Sequence, residues 1–156
     1  MPGRCFFIGH RETGAEMGPA LREIIRRHIE EYGVNEFVVG HYGGFDFLAR
    51  KTVAELKKEY PHITLTLLLP YHPQERSPVL PDGVDGTVYP EGLEHVPHYA
   101  AIVRANRAMV KASDYLIACV WHPVSAARDL LEYALRRETR GFLRVTVLDR
   151  DGLSKP

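Results

Sequence analysis

Short apolar runs alternate with longer amphipathic ones along this chain. Arg4 to Gly9 contains the continuous run Cys5-Phe-Phe-Ile8 and ends in glycine, the pattern of a strand buried on both faces. From Pro19 to Tyr32, the positions Leu21, Ile24, Ile25, His28, Ile29 and Tyr32 recur at three-four spacing, which predicts a helix. Pro19 suits its first turn, where the missing N–H costs nothing. Thr13 and Glu16 have capping-box spacing, but Pro19 would then fall inside the helix, so a separate turn is predicted over 13–17.

The alternation continues. Glu36 to Gly40 reads as a second strand and Gly44 to Tyr60 as a second helix, stopped by Pro61. Ile63 to Leu69 is a third strand. Positions 70–97 hold six of the 11 prolines and little periodicity, so they read as an irregular excursion, with the length of a lid. Pro97 to Lys111 is a third helix, Asp114 to Val120 a fourth strand, Ala126 to Arg137 a fourth helix and Phe142 to Leu148 a fifth strand. The polar tail from Asp149 is expected to fray. Such alternation predicts a three-layer Rossmann-like α/β domain spanning 1–156: a five-stranded parallel sheet, order 3-2-1-4-5, with helices on both faces. A ligand then lies at the switch point, beyond the C-terminal ends of strands one and four.

Composition adds few constraints. Lys+Arg and Asp+Glu are both 20, which argues against a general nucleic-acid or membrane binder. Cys5 and Cys119 lie in apolar runs and read as buried thiols of neighbouring strands. No segment resembles a leader or a bilayer span, so the expected location is the cytoplasm.

Three loops meet the expected site. In the first, Gly9 permits a sharp turn and leaves room for a ligand, His10 ends the strand, Arg11 offers a phosphate-binding fork, and Thr13 supplies a hydroxyl or a cap. In the second, Gly40, Gly43 and Gly44 stand between strand and helix, where free N–H groups would face an anion. Asp46 follows in the first helical turn, as a ligand contact or a partner of the helix dipole. In the third, Ser125 is a candidate N-cap. Asn106 falls on the predicted apolar stripe of helix three, where its amide either ties down a loop or meets a ligand, and Arg104 and Arg107 flank it. Glu132 is the weak catalytic candidate, because Arg128, Glu132 and Arg136 also have the spacing of a surface ion-pair ladder. The histidines show no metal-ligand spacing and no metal is expected, although His10 and His41 end adjacent strands. Neither G-x-G-x-x-G nor G-x-x-x-x-G-K-[ST] is present, which argues against an ordinary dehydrogenase or nucleotide hydrolase.

The run Cys-Phe-Phe-Ile-Gly-His-Arg-Glu-Thr at 5–13 resembles the opening of YpsA-like proteins of the SLOG superfamily. The similarity continues through Val39-Gly-His-Tyr-Gly-Gly-Phe-Asp46, Leu56-Lys-Lys-Glu-Tyr-Pro61, Tyr89-Pro-Glu-Gly-Leu-Glu94, Asn106 with Met109, and Ser113-Asp-Tyr-Leu-Ile117. The superfamily also includes Lonely Guy-type phosphoribohydrolases and DNA-processing protein A. The resemblance implies a Rossmann-like fold holding a nucleotide or nucleotide-derived ligand, with Gly9, Arg11, Gly43, Gly44 and Asp46 lining the pocket, and by analogy a homodimer. It departs at helix four, where Ser125 and Ala126 stand for a glycine pair that forms a second phosphate cradle. Glu132 falls near the glutamate that serves the Lonely Guy-type reaction. The leading expectation is binding or sensing of a nucleotide-like molecule, with no further cofactor specified. The alternatives are cleavage of an N-glycosidic bond in a nucleoside monophosphate, and a DNA- or protein-partner-binding module.

Overall fold

Doubly apolar strands and one-sided amphipathic helices can bury their surfaces together only by stacking in three layers. The computed structural model shows that arrangement for residues 3–72 and 79–149 and the backbone of 154–155. The elements in chain order are β1 (Gly3–Gly9), a 3-10 turn (Ala15–Met17), α1 (Gly18–Glu30), β2 (Val34–Val39), α2 (Gly44–Leu56), β3 (Thr64–Leu68), β4 (Gly86–Val88), α3 (His98–Lys111), β5 (Tyr115–Cys119), α4 (Ala126–Thr139), β6 (Arg144–Leu148) and β7 (Ser154–Lys155).

The sheet order is β4-β3-β2-β1-β5-β6-β7. The expected 3-2-1-4-5 order survives as β3-β2-β1-β5-β6, all parallel. The number five is corrected. Inside the proline-rich excursion, Gly86–Val88 pairs in parallel with Thr66–Leu68 and makes a sixth parallel strand. Asp85 pins it at its start: its carboxylate accepts the Leu65 N–H at 2.8 Å and binds Lys57, the residue that caps the C-terminus of α2. Positions 73–78 of the excursion lie outside the described residues. In the tail, β7 pairs antiparallel with β6, while 150–153 also lie outside them.

β1 shows why the strand is apolar throughout. Cys5 and Phe7 pack with α1 and α2, while Phe6 and Ile8 pack with α3 and α4. The two cysteines lie on neighbouring strands, buried and free. Burial pushes the Cys119 thiol up to about 11 and raises the Cys5 thiol well above its ordinary value, so neither is a ready thiolate. No helix among the described residues is long and apolar enough to cross a membrane.

α3 departs most from the sequence pattern. Its buried stripe is Ala101, Ala105, Met109 and Val110, while Tyr99 is 75% exposed and Val103 partly so. Alanines let the helix lie close on the sheet. The bulkier residues Tyr99, Ile102 and Val103, and Asn106 with them, are thereby turned towards an open crevice.

Candidate functional site

The crevice holds a cavity of about 520 Å³ beyond the C-terminal ends of the central strands. Its floor is Ile8, Gly9 and Leu68, one wall is α3, and another is the first turn of α4. The surface is mostly apolar, with a few polar groups: Arg11, Asp46, Asn106, Arg107 and Asp129. This is the usual make-up of a small-molecule site, in which apolar walls bind and a few polar groups orient.

The three loops do converge, but not as free donors. His10 ties them together. Its ring is buried, and its Nε2 accepts the N–H groups of Trp121 and His122 at 3.1 and 3.2 Å. Its carbonyl accepts the Phe45 N–H of α2 at 3.3 Å. Arg11 does the same one residue on, its carbonyl accepting the Gly44 N–H at 2.9 Å. Two of the N-terminal amides of α2 that the sequence assigns to an anion, those of Gly44 and Phe45, are therefore filled by loop-one carbonyls. A Cβ on Gly44 would overlap the carbonyl oxygens of Thr13 and Arg11, and Gly43 has φ +95° with the Arg11 backbone beside it. Close packing between two loops explains both glycines. The same holds for Gly9, where a Cβ would overlap the Phe45 ring and not a ligand.

Asp46 is the most perturbed group at the crevice. Its Oδ2 accepts the Tyr42 N–H at 3.1 Å and lies against Gly40, where a Cβ would intrude on it. Loss of water around the carboxyl pushes it up to about 7, against the pull of the Tyr42 N–H. It is therefore poised between acid and carboxylate at neutral pH.

The predicted residues divide accordingly. Gly9, Arg11, Gly40, Asp46, Asn106 and Arg107 line the main cavity, and Gly43 borders a smaller adjoining pocket with Phe47 and Arg50. His10, Thr13, Gly44 and Ser125 do not line either. Thr13 is buried beside the Cys119 thiol. Ser125 caps α4, its hydroxyl accepting the Arg128 N–H at 3.0 Å. Glu132 is exposed and away from the cavity, and the expected ladder does not form. Arg128 instead turns back to donate to the carbonyls of His122 and Val120.

Asp129 was not singled out by the sequence. It stands in the first turn of α4 as Asp46 does in α2, and that shared position was the available signal. His41, Tyr42 and Tyr99 also line the cavity.

His10 meets His122 and Trp121, with ring centroids 4.5 Å away in each case, and not His41. His10, Glu12 and His122 bring potential ligand atoms within 4.8 Å of one another. Two histidines and a carboxylate suit a transition metal in principle. Here the His10 Nε2 lone pair is directed at two amides, which leaves the ring proton on Nδ1. His10 cannot ligate without surrendering both bonds to loop three. Burial, chiefly, and the neighbouring His122 lower its basicity, against the opposing charge of Glu12.

A family model described as the YspA SLOG family matches residues 6–77. The match places this stretch in the YpsA-like SLOG branch. It runs from β1 through β3 and so contains the first and second loops, with Arg11 and Asp46. Similarity of this stretch to the SLOG family suggests a role in nucleotide-related binding or processing. No curated protein matches the chain. The positions of Ser125, Ala126 and Asp129 lie beyond the SLOG match, so the wall formed by α4 is read from its geometry alone.

Proposed function

We propose that this protein binds a nucleotide or nucleotide-derived small molecule in the crevice above β1, β2 and β3. One observation carries the reading: a cavity of about 520 Å³ pairs a largely apolar lining with Arg11 and Arg107, two guanidinium groups that have no carboxylate partner among the described residues. A base and ribose present flat and hydroxylated faces, and a phosphate presents the charge that guanidinium groups recognise. The SLOG match over the first two loops supports the same class of ligand.

Thermal-shift titration with AMP, ADP-ribose, NAD and cyclic nucleotides tests this. A ligand at a hundred times its Kd adds about 2.7 kcal/mol, a rise of several degrees in Tm. No response to any of them would remove the reading.

A hydrolytic role is the second reading, and Asp46 is the observation in its favour. A carboxyl near neutrality, facing a cavity with a second carboxylate at Asp129, has the make-up of an acid–base pair. Glu132 does not contribute to it. Release of free base from AMP by wild-type protein, abolished in Asp46→Asn, would establish the reaction. Intact AMP after prolonged incubation would leave binding alone.

A further inference from the structure

The parallel sheet gives the molecule two ends. The crevice lies beyond the C-terminal ends of the central strands, and the other end gathers the strand starts and the C-termini of the helices. Charge there is uneven. Around the end of α4 and the start of β6, Arg136, Arg137, Arg140 and Arg144 make no ion pair among the described residues. Acids of the same end are occupied: Glu138 accepts the Val145 N–H at 2.6 Å, Asp114 accepts the Arg4 N–H at 3.0 Å, and Glu36 pairs with the Arg4 side chain. The helix dipole favours arginines at the end of α4, but gives no reason for Arg144, which opens β6. The even balance of 20 cationic and 20 anionic residues thus conceals a basic end.

The turn that ends α4 adds an aromatic ring. Gly141, at φ +80°, donates its N–H to the Glu138 carbonyl at 2.9 Å, and Phe142 donates to the Arg137 carbonyl at 3.0 Å, which makes a Schellman turn. The residue in the place of Phe142 ordinarily packs on an apolar side chain in the place of Arg137. Here that partner is an arginine, and Phe142 stays 53% exposed. The guanidinium groups of Arg137 and Arg140 lie 4.8 and 5.6 Å from the centre of its ring, and that of Arg144 lies 4.2 Å from the centre of Tyr32. The arginine side chains that donate hydrogen bonds among the described residues are those of Arg4, Arg22, Arg26 and Arg128. Arg137, Arg140 and Arg144 are therefore positioned by rings and keep their N–H groups for an outside acceptor.

We infer that this end of the molecule binds single-stranded nucleic acid, with phosphates on Arg137, Arg140 and Arg144 and a base against Phe142. None of these residues lines the crevice, so the inference stands apart from the nucleotide-binding reading above. Guanidinium groups match phosphate oxygens with paired donors, and an exposed ring offers a base the flat face it loses on leaving its stack. An acidic protein segment would use the charges but leave the ring unmatched. A duplex would offer phosphates but keep its bases stacked.

Fluorescence anisotropy with a labelled oligothymidylate of about ten nucleotides, a site size within the range of single-strand binders, tests this across a salt series. Three phosphate contacts predict a log–log salt slope of about −2, a loss of roughly twentyfold in affinity between 50 and 200 mM salt. In Arg140→Gln/Arg144→Gln, whose side chains are both exposed, the slope should shrink to about −0.7. Phe142→Leu keeps an apolar side chain in the turn, and should weaken binding about tenfold at every salt concentration with the slope unchanged. An unaltered Tm verifies that each variant folds. No binding at 20 mM salt, or binding that both variants retain in full, would overturn the inference. So would an oligoglutamate or a duplex of equal charge that displaces the single strand as well as unlabelled oligothymidylate does, since either would leave the ring without a role.

Discussion

His28 sits fully buried on α1 between Tyr32 and Tyr115, its Nδ1 2.7 Å from the Ile24 carbonyl and its Nε2 without a partner. Burial lowers it to about 4, against the Ile24 bond, and the Arg144 and Arg27 charges push the same way. The folded chain thus refuses a proton that the unfolded chain accepts from its ordinary value near 6.5 downward. Stability is fully present above that value and is lost as pH falls towards 4, by about 3 kcal/mol. Urea unfolding at pH 7.5 and 4.5 should show the drop in the wild type and a smaller one in His28→Leu. An equal drop in both would assign acid sensitivity to other groups. The sequence showed that this histidine faces inward, because its spacing matches the apolar stripe, but could not show that one ring nitrogen lacks a partner. His10 has the same limit in sharper form. Its place at the end of β1 was readable, whereas the two amides it accepts come from residues more than a hundred positions away and leave no local trace.

At the level of elements, the helices and central strands were readable because each repeats a period with few interruptions. Errors fell at their ends and where a short element lacks a pattern. α1 stops at Glu30 and α2 at Leu56, earlier than the spacing suggests, because isolated apolar residues in the following turns also reach the core. β4 is three residues in a proline-rich stretch and owes its existence to pairing with β3. The junction of β2 with α2 is the instructive case. Three glycines between strand and helix can mean an anion site or a close meeting of two backbones, and spacing does not distinguish these. The structure shows a close meeting at Gly44, whose N–H and Cα both abut loop one. Gly44→Ala should therefore destabilise the fold itself, by about 2 kcal/mol or more, with or without a nucleotide. Chemical denaturation of ligand-free protein measures it. A variant of wild-type stability that merely lost AMP binding would restore the phosphate-cradle view.

For the molecule as a whole, strand order followed from the alternation of strands with helices and from the handedness of crossovers. The crevice was expected between β1 and β5, where that order reverses, but its lining comes from β1 and the loop after it, the β2–α2 loop, the end of β3, α3 and α4, and takes no residue from β5 or the loop after it. Which residues line it was readable only in part. Arg11, Asp46 and Asn106 were found from the loops and from a polar residue in an apolar stripe. Asp129 and Tyr99 depend on how α3 and α4 tilt over the sheet, which no local spacing encodes.

The central position of β1 also bears on the order in which the chain can assemble. On one side β1 pairs with β2, which follows shortly. On the other it waits for β5, with Phe6 opposite Leu116. During synthesis the first three strands emerge as a sheet with a bare, apolar border, Cys5-Phe-Phe-Ile8, and one face not yet shielded by α3 and α4. Such a border is a template for stray pairing. A fragment ending at residue 77 should therefore sediment as heterogeneous aggregates under conditions that keep the 156-residue chain dispersed. A well-behaved fragment would show that nascent sheet to be self-sufficient, and the late strands to be an addition and not a seal.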